Sequence, residues 1–245
     1  MKEFKHFISL GFFCSVASEL EKYGYRTASG PFDWQACDSF REKIEFIETR
    51  FEKFWTNFSL EGLYQGGVNL HTYEMKACKF TFVHDFDKYR SLQEQLPAVR
   101  EKYRRRIDRF YENIQEKSLF IRYVNPEEDI KWIEDNEDRI LYLLKSFNAE
   151  NEIIYVSNSD VPIGVKNVFY VNKDFNDFVA RRFISNSESL RLYLESLPFS
   201  QSIRSNNIRR FKTKRIRRVL TLLSSVARRL FVYPFKEPYI HYKKR

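Results

Sequence analysis

The stretch that decides the fold is Phe4-Lys5-His6-Phe7-Ile8-Ser9-Leu10-Gly11, followed by Cys14-Ser15-Val16-Ala17-Ser18-Glu19-Leu20. The run from Phe4 to Leu10 is short and largely apolar, which predicts a buried strand ending at Gly11. From Cys14 to Tyr23, Val16, Ala17 and Leu20 share one face at helical spacing. Gly24 is placed to stop that helix, because glycine accepts the left-handed conformation that commonly closes one. A strand, a glycine turn and a helix in this order open an α/β fold.

The rest of the chain repeats the alternation. Helical patterns run from about Phe40 to Phe54, and Lys79 to His84 reads as a strand. Leu92 to Ile114 reads as a charged helix, Ser118 to Tyr123 as a strand, and Glu127 to Phe147 as a helix opened by Pro126 and acidic residues. Glu152 to Ser157 and Asn167 to Val171 read as strands. Ser187 to Leu197 reads as a helix with a serine cap. Alternating strands and helices predict a three-layer α/β fold, with a mainly parallel sheet flanked by helices. The chain of 245 residues, 43% hydrophobic, has enough apolar content for one sizeable core. Seven glycines and seven prolines exclude collagen-like and linker-rich classes.

Charge divides the chain unevenly. Residues 204–245 hold 14 Lys/Arg and one Glu, while residues 1–203 hold 28 basic and 32 acidic residues. The expected organisation is therefore an α/β domain over 1–203 and a basic amphipathic tail over 204–245. In the tail, Ile216, Val219, Leu220, Leu223, Ala227 and Leu230 fall at helical spacing. Arg209, Arg210, Lys214, Arg215, Arg217, Arg218, Arg228 and Arg229 surround them. A basic helix with an apolar stripe suits an anionic membrane interface. The acidic body offers no continuous basic surface, so nucleic acid is not the expected partner. No signal peptide and no membrane-spanning run is read. The expected location is cytoplasmic, peripheral at the inner face of the cell membrane.

Cys14 is the chemical focus. It follows a strand and opens a helix, where first-turn N–H groups and the helix dipole stabilise a thiolate or an oxyanion. The carboxyl ends of strands in open α/β sheets are also where ligands bind. The same position suits a cysteine acting only as a small buried apolar side chain. Three cysteines, Cys14, Cys37 and Cys78, show no disulfide or metal spacing, so no metal and no cofactor is expected. A cysteine nucleophile needs a base. His84 closes a predicted strand and is the first choice; His71, in a polar loop, is the second. Asp33 is preferred over Asp85 as the orienting acid, because Asp85 follows His84 directly and points the other way on a strand. Ser9, Gly11, Arg26 and Trp34 are candidate substrate- or anion-binding residues.

Ile8-Ser9-Leu10-Gly11-Phe12-Phe13-Cys14, then Ala17 and Leu20, then Arg26, Ser29 and Pro31-Phe32-Asp33-Trp34 resemble a bacterial family of unknown function described as papain-like cysteine peptidases. Its Ser-Leu-Gly-x-x-Cys and Pro-Phe-Asp-Trp motifs are both present. A later Phe-x-His segment corresponds to Phe82-Val83-His84. The resemblance firmly covers roughly the first third of the chain. It implies Cys14 as nucleophile, His84 as its base and Asp33 as third member. A papain fold packs its cysteine helix on an antiparallel barrel, whereas this sequence alternates strands and helices. The broader expectation is thus a cysteine-dependent hydrolase or acyl transferase acting on a small-molecule, glycan or peptide substrate. The alternative expectation is a membrane-associated transferase of cell-surface polysaccharide biosynthesis, binding an anionic donor through Ser9, Cys14, Arg26 and the helix start without covalent catalysis.

Overall fold

The computed structural model describes residues 2–11, 14–34, 39–52, 54–55, 60–64, 70–75, 80–124, 129–159, 161–171 and 182–232. Its strands are β1 (His6–Ser9), β2 (Leu60–Tyr64), β3 (Leu70–Met75), β4 (Phe80–Asp87), β5 (Ser118–Tyr123), β6 (Glu152–Ser157) and β7 (Val168–Tyr170). Its helices are α1 (Cys14–Lys22), α2 (Phe40–Glu48), α3 (Leu92–Asn113), α4 (Ile130–Phe147), α5 (Phe183–Asn186), α6 (Glu188–Ser196) and α7 (Gln201–Val232).

The expected parallel sheet is present, in the order β1-β5-β6-β7, with every pairing parallel. β5 is buried along its whole length, as a central strand covered on both faces must be. Alternate residues feed two cores. Ile8, Phe120, Ile153 and Tyr155 face a core shared with α2, α3 and α4. Phe7, Leu119, Ile121, Ile154 and Val156 face a second core with α1, α5 and α6. Both layers of helices are therefore bound to the sheet by apolar burial, the dominant favourable term in folding.

A second sheet, β2-β3-β4, is antiparallel. Met75, Phe80, Phe82 and Phe86 from it join the first core beside α3. This sheet corrects two expectations. His84 lies inside β4, on the outer strand of the antiparallel sheet, and does not close a strand of the parallel one. His71 lies in β3, not in a loop. In β3 only Thr72 and Met75 are buried, so no period-two pattern marks it as a strand.

Other boundaries differ for local reasons. The helix expected to reach Phe54 ends at Glu48, because Arg50 and Phe51 take left-handed φ values of 50° and 57°. Phe51 is thereby turned into the core, stacked on Phe46 at 5.2 Å. α4 begins after Asp129; Pro126 and Glu127 lie outside the described residues. Gly24 ends α1 with φ +80°, as expected, and Tyr25 N donates to Leu20 O. A methyl group on Gly24 would lie 2.5 Å from Arg204 O and 2.7 Å from Ile208 Cγ1, so α7 rests directly on this turn.

One polar contact joins four elements. Arg122 of β5 is fully buried, donates through Nε to Asp129 Oδ2 at 2.9 Å, and forms a second bond to the same oxygen through Nη2. Arg122 Nη1 donates to Leu10 O at 3.0 Å, and Asp129 Oδ1 accepts from Phe40 N at 3.1 Å. Removing one partner of a buried pair leaves an uncompensated charge. Asp129→Ala is expected to destabilise the protein by about 3–5 kcal/mol in urea unfolding; a loss below about 1 kcal/mol would show that Arg122 finds other solvation.

Candidate active site

The site begins where β1 ends. Leu10 N donates to Ile121 O and Tyr123 N to Gly11 O, both at 2.9 Å, so pairing with β5 continues to the turn. Gly11 has φ +77° and donates its N–H to Ser9 Oγ at 3.2 Å. Ser9, a candidate ligand-binding residue, is buried and shapes the turn. Under Gly11 lie two fully buried basic side chains, Lys43 and Arg122. A methyl group at position 11 would collide with Lys43 Nζ and lie 3.5 Å from Arg122 Nη1. Glycine is thus required here both by φ and by space. Three residues later Cys14, half-buried, opens α1. A helix start favours a thiolate over a thiol.

A second group of candidate residues assembles around the loop after α1. Arg26 donates to Asp33 Oδ2 through Nε at 3.0 Å and Nη2 at 2.6 Å. Its Nη2 also reaches Ser29 Oγ at 2.7 Å, and Nη1 reaches Glu21 Oε2 at 3.3 Å. Gly30 N adds a bond to Asp33 Oδ2 at 2.9 Å. Asp33 is buried, and this desolvation raises its pKa above 3.8 against the lowering effects of Arg26 and the Gly30 amide. The Arg26 guanidinium stacks over Trp34, 5.1 Å from the ring centroid. Trp34 meets His84 edge to face, with centroids 6.1 Å apart and planes at 86°. Arg26, Asp33, Trp34 and His84 therefore form one continuous cluster.

Asp85 is directed to α3. It accepts from Tyr103 Oη at 2.9 Å and pairs with Lys102. Burial and the neighbouring Asp85 hold the Tyr103 hydroxyl well above its usual titration range. His71 is half-buried, with its ring 4.6 Å from that of Tyr73. His6 Nε2 lies 2.9 Å from Glu116 Oε2.

Lys43, Arg122 and Asp129 were missed in the sequence, yet the first two left a signal. Arg122 interrupts the apolar run Leu119-Phe120-Ile121. Lys43 shares the apolar face of α2 with Phe40, Ile44 and Ile47, a position where a charge has to be buried.

Cys14 at the start of α1 and the Arg26–Asp33–Trp34–His84 cluster are the two candidate groups the fold provides. The family model described as "Putative papain-like cysteine peptidase (DUF1796)" matches residues 5–153, and the chain belongs to that family. The match runs from β1 into β6 and includes both groups of candidate residues. Uncharacterized protein R408 of Acanthamoeba polyphaga mimivirus is 32% identical over 121 residues, covering 43% of this chain and 54% of that protein. The chain thus spans about half the length of the curated relative it matches. No solved structure matches.

The raised pKa of Asp33 has a signed consequence. The folded state holds this proton more tightly than the unfolded chain, so its contribution to stability is largest below pH 3.8 and is lost as pH rises through the folded value. Relative to Asp33→Asn, the native chain should lose stability as pH rises from 3.8, measured by urea unfolding at each pH. A stability difference that grows in the protein's favour would contradict the burial effect.

Proposed function

We propose that the protein is a cysteine-nucleophile hydrolase or acyl transferase, with Cys14 as nucleophile, His84 as general base and acid, and Asp33 as the buried support of that pair. The observation that carries this reading is Cys14 opening α1 just beyond the Gly11 turn, a turn packed against buried Lys43 and Arg122. In the proposed reaction the Cys14 sulfur attacks an acyl carbon and its proton passes to His84. First-turn amides hold the oxyanion. The leaving amine or alcohol takes the proton from His84 as the thioester forms. Water or an acceptor hydroxyl or amine, deprotonated by His84, then releases the acyl group and restores the thiol. Gly11 and Ser9 keep the turn in shape, while Arg26 and Trp34 wall the side nearest His84.

The composition of α7 supports an anionic membrane surface as the place of action. Among the described residues no helix is long and apolar enough to cross a membrane. Residues 201–232 hold ten Lys/Arg and no acid. α7 meets the body through Arg204, Asn207 and Lys214, the last paired with Glu21 at 2.9 Å. Ile216, Val219, Leu220 and Leu223 remain 49–60% exposed. Arg209, Arg210, Lys214, Arg215, Arg217 and Arg218 border that stripe; side chains from 224 onward, Arg228 and Arg229 included, are outside those described. An anionic lipid surface matches this pattern in both charge and apolar content, whereas a second α7 would oppose like charges.

Two measurements test these proposals. In a panel of fluorogenic esters and peptide amides, Cys14→Ala should abolish turnover and His84→Asn should lower it about 100-fold or more; full activity in Cys14→Ala would end the nucleophile reading. Full-length protein should co-sediment with phosphatidylserine vesicles at low salt, and Leu220→Glu with Leu223→Glu should release it. Equal partitioning of both proteins would contradict the membrane surface.

A further inference from the structure

His84 is exposed on the outer strand of its sheet. Among the described residues its ring contact is with Trp34, and no described carboxylate is hydrogen-bonded to it. A catalytic imidazole must present one nitrogen to its partner in a fixed direction, and a carboxylate commonly sets that direction. Asp33, the nearest candidate, directs Oδ2 to Arg26 and to the Gly30 amide. Asp85, the next residue in the strand, points to Tyr103 and Lys102.

We propose that Trp34 is the positioning residue for His84, an indole standing where an acid would stand. This rests on the reading of His84 as the base. The edge-to-face geometry, 86° between planes, is the preferred arrangement of two rings and fixes the imidazole plane. Trp34 is half-buried and is held in turn by the Arg26 guanidinium over its face. Arg26 is locked by its two bonds to Asp33 and one to Ser29. Asp33 therefore acts on His84 through a stack of two side chains, Arg26 and Trp34. The motif Pro31-Phe32-Asp33-Trp34 then has a divided function. Phe32 anchors in the core against Phe51 and Phe110, Asp33 fixes Arg26, and Trp34 aims the base.

The test combines spectroscopy with kinetics on Trp34→Leu and Trp34→Phe. In the native protein the His84 ring protons should resonate away from random-coil positions, displaced by the indole ring current. Trp34→Leu should return them to random-coil values, while Trp34→Phe keeps part of the displacement. On the best substrate of the panel, Trp34→Leu should lower kcat about 10- to 100-fold with KM little changed, and Trp34→Phe should recover most of it. Unmoved His84 resonances in Trp34→Leu, or equal impairment of the two variants, would overturn the proposal. Should Trp34→Leu not fold, Trp34→Phe is read alone: a reduced but present displacement with near-native kcat supports the proposal, and an unchanged spectrum overturns it. If His84→Asn stays active while the ring-current shift behaves as described, the base reading fails and the stack stands as structure only.

Discussion

Arg122 sits in the middle of a strand whose every residue is buried, with a guanidinium that cannot lose its charge in a protein interior. The chain meets this constraint by closing four elements around it. Asp129 brings the start of α4, Leu10 brings the end of β1, and Phe40, through Asp129, brings the start of α2. The Arg122 guanidinium also lies 5.0 Å from the Phe40 ring centroid, so its flat face is covered as well as its edges. These contacts gather at the carboxyl end of β1, which is where an open α/β sheet places its chemistry.

The position of Cys14 follows from that closure. With Leu10 O held by Arg122 and Gly11 O held by Tyr123, the chain leaves the sheet in one direction, and α1 starts on the far side of the turn. Lys43 fills the space under Gly11 that any other residue would occupy. The second group, from Arg26 to His84, is organised differently. It depends on a loop ion pair and on ring contacts, and it joins the antiparallel sheet to the body beside α3, where Tyr103 binds Asp85.

Most of the parallel sheet was legible because its strands are continuous apolar runs and its helices carry clear faces and caps. Ser118–Tyr123 and Glu152–Ser157 appear with the bounds their composition suggested, and Ser187 caps α6 as its place before an apolar helix suggested. Of the antiparallel sheet β4 was legible, read as Lys79 to His84, while β2 and β3 were not. β3 carries Thr72 buried and Tyr73 half-exposed, so burial there is decided by the neighbouring strand and α3 and not by residue type. His84 was found as a residue but misplaced in the fold for this reason. The basic side chains beside Gly11 hid in another way. A buried lysine or arginine reads from sequence as a solvated charge until the fold shows what surrounds it, and Lys43 and Arg122 are both such cases.

Cys14 as a helix-opening nucleophile is tested most directly by the ionisation of its thiol. The rate of Cys14 alkylation by iodoacetamide against pH, followed by peptide mass spectrometry to separate it from Cys37 and Cys78, measures this directly. An ordinary thiol titrates near about 8.5. A nucleophile at a helix start is expected at least about one pH unit lower; a midpoint at or above that of an ordinary thiol would contradict this role for Cys14.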